Sequence, residues 1–321
     1  MKIDAVLTWV DGGDPVHKAR MARFGNASAF SREDVAGSTR YASIGEIAWC
    51  VASINRFAPF INRIFVVTDG QDPRLGDFLH RNFPEGHIPV EIVDHKTVFR
   101  GHEEYLPVFN SLAIESVLWR IPGLSEHFIY FNDDFLLAAP VTPEDFFTSD
   151  GVVCYASRHS VLLTDFSRAW KTLIHGGRKQ VTFKGMLRNA VPLAGGGGSY
   201  LHYGHTPRAL LRSFYEDFFA SRPDALVRNI RHRFRDAEQF CPEEILFLSL
   251  YRAGRCEIRR LEDALFFFQM KDRPHYLDRK LRMLDEGAYR FCCFNSLDKL
   301  PEDDRGRVID WIERRLNVRS S

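Results

Sequence analysis

Short apolar runs, each closed by an acidic turn, set the pattern of the first half of this chain. Residues 3–10 (IDAVLTWV) end in Asp11-Gly12-Gly13-Asp14-Pro15, and residues 64–68 (IFVVT) end in Asp69-Gly70-Gln71-Asp72-Pro73. Residues 90–93 lead into Asp94-His95, and Phe128-Ile129-Tyr130-Phe131 leads into Asn132-Asp133-Asp134. Runs of this length, bounded by Asp, Gly and Pro, read as buried strands followed by turns. Residues 44–57, 73–83 and 109–119, lying between them, read as helices. Strands alternating with helices predict an α/β chain with a mostly parallel sheet covered on both faces.

The second half reads as more helical. Residues 200–203 are strand-like, 208–220 read as a helix, and Cys292-Cys293 sits in an apolar strand-like run. Residues 303–316 form an amphipathic pattern with Val308, Trp311, Ile312 and Leu316 on one side, which predicts packing onto the domain before docking to a membrane or partner. Phe266-Phe267-Phe268 reads as core, and Gly195 to Gly198 as a surface loop rather than a phosphate cradle.

Asn132-Asp133-Asp134 carries the most chemistry. A strand that delivers two adjacent carboxylates to a loop is a common way to hold Mg²⁺ or Mn²⁺, which take oxygen ligands and share substrate phosphates. Adjacent strand residues point to opposite faces, so one aspartate would bind metal directly and the other support it or act through water. The plain alternative is a turn or a helix cap. Four acidic strand ends in one half-chain favour a metal–nucleotide site, because parallel sheets bind ligands at the carboxyl ends of their strands.

Composition narrows the class. A chain of 321 residues can bury a sizeable core, and a formal charge of +1 excludes a general nucleic-acid coat. Lys2 leads straight into a strand, without a secretory pattern, and no apolar run approaches the roughly 20 residues that span a bilayer. The six cysteines lack CxxC spacing and read as reduced and buried, as in a cytoplasmic protein.

The stretches IDAVLTWVDGGDP, SINRFAPFINRIFVVTDGQDP and LPVFNSLAIESVLWRIPGLSEHFIYFNDDF closely resemble signature blocks of the Stealth family. HYGHTP followed by RHRFRDAEQF is similar to a third block, and FCCFNSLD to a fourth. The resemblance runs from about Ile3 to Asp298, across a variable spacer near residues 151–200. These are hexose-1-phosphate transferases, among them bacterial capsule and exopolysaccharide enzymes and the lysosomal-enzyme GlcNAc-1-phosphotransferase. The resemblance implies a Rossmann-like or GT-A-like sheet flanked by helices. Residues 1–150 would be the α/β half that binds nucleotide sugar and metal. Residues 151–321 would supply the spacer and a mainly helical half that completes one catalytic unit. It also implies metal-dependent transfer of a sugar-1-phosphate from a nucleotide sugar, UDP-GlcNAc or similar, to a glycan hydroxyl in capsule or exopolysaccharide synthesis. Two other functions remain open: a glycosyltransferase that releases nucleoside diphosphate, and a non-catalytic carbohydrate-binding protein. A cytoplasmic location fits, with peripheral association to the inner membrane or to capsule assembly machinery.

Site residues follow from the same blocks. Asp133 and Asp134 are the metal candidates. His205 is the candidate general base, because imidazole accepts a proton near neutrality, with His202 as its competitor. Arg231, Arg233 and Arg235 alternate, so an extended segment would put all three on one face, and the resemblance assigns phosphate contact first to Arg233 and Arg235; a solvated basic stripe is the alternative. Asp11, Gly12 and Asp69 are candidates for the donor's nucleotide or sugar, with turn formation the competing role. Asn110 and Ser111 read first as helix-start residues, and the resemblance adds sugar binding. His95 reads as structural. Two departures stand out: Ala48 and Ala52 replace arginines usual in the family, where Arg40 could restore some charge, and Asn295-Ser296-Leu297-Asp298 replaces an Asn-Asp pair.

Overall fold

The computed structural model describes residues 1–25, 44–163, 182–269, 275–287, 289–295 and 297–319. Strands β1 (Ile3–Thr8), β2 (Ile61–Thr68), β3 (Val90–Asp94) and β4 (His127–Asn132) build the centre of the molecule. Their order in the sheet is β3-β2-β1-β4, all parallel. Val6, Leu7, Phe65, Val66, Phe128 and Tyr130 are fully buried, as strands covered on both faces must be. The helix Glu46–Phe57 covers one side and buries Trp49, Cys50, Val51 and Ile54. The mostly parallel α/β architecture predicted by the pattern is the one observed.

Beyond β4 the chain enters β5 (Phe135–Leu137), then β6 (Val152–Tyr155), β7 (Ser157–Ser160), β8 (Ser199–His202), β9 (Arg208–Leu211), β10 (Cys256–Arg259), β11 (Leu265–Phe268) and β12 (Phe291–Phe294). β9 joins the large sheet as an antiparallel edge beside β4. Strands β11, β12 and β5 make a second sheet, with β12 antiparallel to β5. Strands from the later half therefore pair with β4 and β5 from the earlier half.

Two elements depart from expectation. Residues 208–211 are strand rather than helix, and the helix starts at Arg212 (Arg212–Ser221). Local propensity did not decide this stretch; the ladder with β4 did. Residues 109–119 hold only the short helix Ser111–Glu115 and a 3₁₀ turn, Leu118–Arg120. The helix Glu302–Leu316 packs with Val308, Trp311, Ile312 and Leu316 buried, as its periodicity predicts. All six cysteines are free and buried. Among the described residues no helix is long and apolar enough to cross a membrane.

Candidate active site

A cavity of about 1000 Å³ opens at the carboxyl ends of β1, β2 and β4, and the later half closes it from the opposite side. Asp133 and Asp134 form its acidic tip. They are the two turn residues between β4 and β5, so the tip is held at one end by the large sheet and at the other by the second sheet.

Negative charge is crowded here. Burial pushes the Asp133 carboxyl well above the ordinary carboxylate range, and the charges of Asp134 and Glu46 add to the shift. Glu46, at the start of its helix, is also pushed up, first by burial and then by Asp134 and Asp298. Three arginines are paired elsewhere: Arg20 with Asp69, Arg208 with Glu243 and Arg231 with Glu238. Asp134 Oδ2 accepts a hydrogen bond from Cys293 Sγ at 3.3 Å, and donor atoms of Asp134, His205 and Cys293 lie within 4.8 Å of one another. Burial and Asp134 push the Cys293 thiol well up, so it stays protonated and is a poor ligand. With the thiol set aside, the carboxylates of Asp133, Asp134 and Glu46, with His205 close by, offer mainly oxygen donors, and that fits a hard divalent cation.

His205 sits on the turn between β8 and β9. Gly204 has φ +57°, a left-handed conformation that glycine adopts freely, and Thr206 Oγ1 closes the turn by donating to the Tyr203 carbonyl at 2.9 Å. The imidazole packs against Phe267 (ring centroids 4.9 Å apart) and edge-on to Phe135 (5.9 Å). Burial lowers its pKa, Asp134 opposes the shift, and Arg208 and Arg235 reinforce it. At neutral pH the ring therefore keeps a free lone pair. His202 also lines the cavity, against Phe183 and His159, but Asp134 is not among the charges that shift it.

The three arginines do not share a face. Residues 231–235 follow the helix Pro223–Ile230 as turns and bends, so the alternation of an extended strand does not apply. Arg235 lines the cavity and donates to Ser111 Oγ at 3.1 Å. Arg233 instead donates to the Glu104 and Leu106 carbonyls at 3.1 and 3.2 Å and lies over the Phe24 ring. Arg231 pairs with Glu238 at the surface. Neither Arg231 nor Arg233 lines the cavity.

Asn110, Ser111 and Asp69 do line it. Asn110 caps the helix Ser111–Glu115 by accepting from Ala113 N at 3.0 Å, and it also accepts from Gln239 Nε2 at 3.1 Å. Asp69 accepts from Arg20 Nη1 at 2.9 Å. Asp11 turns its carboxylate to Gly13 N (2.7 Å) and its own N–H to Gln71 (2.9 Å); Thr8, Trp9 and Val10 line the cavity, while Asp11 and Gly12 do not. Arg40 lies outside the described residues.

Several lining residues escaped the sequence reading. Arg208, only 6 % exposed, pairs with Glu243 Oε1 at 3.0 Å and lies over the rings of Tyr203, Tyr130 and Phe135. The one cue was an acidic pair, Glu243-Glu244, inside the apolar helix Pro242–Arg252. His95 is buried but borders the cavity, and burial pushes its pKa down to about 4. Phe267 faces the cavity, whereas Phe266 and Phe268 are core. Glu115 accepts from Tyr130 Oη at 3.2 Å.

The chain matches the family descriptions Stealth protein CR2, conserved region 2, over residues 40–155, and Stealth protein CR1, conserved region 1, over residues 1–29. It is 39 % identical to the receptor polysaccharide phosphotransferase WefC of Streptococcus oralis, covering 97 % of this chain and 95 % of that protein. The capsular polysaccharide phosphotransferase WcwK of Streptococcus pneumoniae is 28 % identical over 95 % of this chain and 93 % of its own length. The exopolysaccharide phosphotransferase SCO6021 of Streptomyces coelicolor is 32 % identical over 94 % of this chain, which spans only 52 % of that longer protein. Among solved structures, the galactosyltransferase LgtC in complex with donor and acceptor sugar analogues is similar with a TM-score of 0.46 and 13 % identity, covering 97 % of this chain and 95 % of LgtC. By sequence along nearly its whole length, this chain belongs to the Stealth protein family.

Proposed function

We propose that the protein transfers a sugar-1-phosphate from a nucleoside diphosphate sugar to a carbohydrate hydroxyl, forming a phosphodiester in polysaccharide synthesis. It is a transferase whose relatives are named polysaccharide phosphotransferases. The observation that carries the reading is the meeting, in one cavity, of the Asp133-Asp134 tip, His205 and Arg235.

The reaction asks little covalent chemistry of the protein; alignment and neutralisation of charge do most of the work. The acceptor hydroxyl attacks the phosphorus that bears the sugar. A new O–P bond forms while the bond to the departing nucleoside monophosphate breaks, and the hydroxyl proton passes to His205. That histidine is half-buried, and desolvation lowers its pKa, which favours the unprotonated form that a general base needs near neutrality. Arg235, steadied by Ser111, faces the phosphates and offsets charge that grows in the transition state. The strand ends at Trp9, Asp69 and His95 border the space for the donor's nucleoside. Asp133 and Asp134, with Glu46 beside them, would hold Mg²⁺ or Mn²⁺. When bound, such a cation neutralises the diphosphate.

Purified protein should be incubated with a panel of nucleotide sugars, Mg²⁺ and short capsule-like oligosaccharides, and the products weighed by mass spectrometry. A gain of sugar plus phosphate on the acceptor, with release of nucleoside monophosphate, is the expected result. A gain of sugar alone with nucleoside diphosphate would make the protein a glycosyltransferase. Donor binding without product across the whole panel would make it a carbohydrate-binding protein.

A further inference from the structure

The cavity has two chemically different walls. On the first-half side it carries Asp133, Asp134 and Asp69 at strand ends and Asn110 and Ser111 at the start of a helix. The facing surface at β11 presents Leu261, Leu265, Phe267 and Gln269 to the cavity, and none of these four is charged. Strand alternation makes this surface: Phe266 and Phe268 point into the core at 2 % and 0 % exposure, while Leu265 and Phe267 are half-buried on the cavity side.

This apolar surface is built against the turn that carries His205. A side-chain carbon at Gly204 would lie 3.1 Å from Leu261 Cδ2 and 3.6 Å from Leu265 Cδ2, so wall and turn are in direct contact. Phe267 then lies alongside the imidazole, with ring centroids 4.9 Å apart and planes inclined by 32°. Any hydroxyl close enough to give its proton to His205 belongs to a molecule that rests on or beside Phe267. A diphosphate is better served at the tip and by Arg235, because Leu261, Leu265, Phe267 and Gln269 offer it no charge. A pyranose does: its C–H face is apolar and suits an aromatic ring, and its hydroxyls project from the rim. Gln269, just past the end of the strand and also at the cavity, supplies a side-chain amide for another rim hydroxyl.

We propose that β11 is the acceptor subsite, with the C–H face of the acceptor sugar packed on Phe267 and its nucleophilic hydroxyl turned to His205. The inference rests on the transferase reading above and gives the cavity a polarity: donor phosphates on the first-half tip, acceptor glycan on the β11 wall. Phe267 is a binding residue that selects a carbohydrate ring over a flexible alcohol.

The test compares Phe267→Ala, Phe267→Leu and Phe267→Trp with the parent protein. Steady-state kinetics would use a tagged oligosaccharide that the parent turns over, and donor affinity would be titrated separately with the nucleotide sugar. Phe267→Ala and Phe267→Leu should each raise the acceptor KM about tenfold, leave donor Kd within about twofold, and narrow the preference for oligosaccharide over a simple alkyl alcohol. Phe267→Trp should keep or lower the acceptor KM. Phe267→Leu conserves bulk, so a folding defect confined to the alanine variant does not decide the result. An unchanged acceptor KM in Phe267→Leu overturns the subsite, as does a raised donor Kd with acceptor KM unmoved. Failure of the transferase reading would show differently, as a parent enzyme that never adds sugar plus phosphate to any acceptor.

Discussion

Two clusters of carboxylates lie beside the same cavity, one half-buried and one buried, and they differ in their partners. Glu243, in the helix Pro242–Arg252, has a guanidinium at 3.0 Å, and that Arg208 is further enclosed by three aromatic rings. At the strand tip, Asp134 raises the energy of the ionised forms of both Glu46 and Asp133, and Glu46 raises that of Asp133. A buried carboxylate with its own cation is part of the scaffold. A group of carboxylates crowded together is ready for a cation brought from outside. The difference separates residues that hold the cavity's shape from residues that do its chemistry, although both kinds line it or lie next to it.

The largest effect should come from the paired cluster. Glu243→Ala leaves Arg208 buried without its carboxylate and is expected to cost about 3–5 kcal/mol in denaturant unfolding. A midpoint equal to the parent's would mean that the pair contributes nothing to the fold.

His95 tests how much a third buried polar group depends on protonation state. Its pKa is pushed down to about 4, against about 6.5 for an exposed histidine. Between those values the unfolded chain binds more protons than the folded one, so stability is complete above pH 6.5 and falls as pH drops toward 4. The loss should reach at most about 3 kcal/mol across that window, and His95→Gln should flatten the slope of the melting temperature against pH. Parallel curves for the two proteins would remove His95 from the account.

At the crowded tip the expected losses are in turnover. Asp134→Ala and His205→Ala should each lower kcat on the order of 10²-fold or more with saturating donor, about 2.7 kcal/mol of activation free energy. If both keep near-parental turnover, the catalytic assignment fails. Arg235→Ala should lower kcat/KM more than Arg233→Ala, because only Arg235 reaches the cavity; Arg233→Ala should be read mainly in stability, having lost its bonds to Glu104 and Leu106.

The smallest effect is the most specific. In chelator, Asp133→Asn should melt at the same temperature as the parent or slightly higher, by about 1 kcal/mol or less, since one of the crowded charges is gone. Added Mg²⁺ should then stabilise the parent more than the variant, through preferential binding to the folded form. A clear destabilisation of metal-free Asp133→Asn would put the tip with the scaffold and erase the contrast.

The parallel strands, the acidic turns that end them, the Asp133-Asp134 tip and the amphipathic helix Glu302–Leu316 were legible in the sequence alone. Each depends on period and turn chemistry within a dozen residues, and the family blocks added His205. Other features had no local cue. Arg233 and Arg235 differ only in where a turn after a helix sends them, and Phe267 differs from its phenylalanine neighbours only in the direction a strand gives it. Arg208 reads as the start of a helix in the sequence, because a ladder with β4 and a carboxylate 35 positions away leave no mark on its immediate neighbours. Local free energies of strand, turn and helix are written in adjacent residues and can be read there. Which cation meets which carboxylate, and which ring faces the cavity, is set by contacts between distant segments that come into existence only when the chain packs.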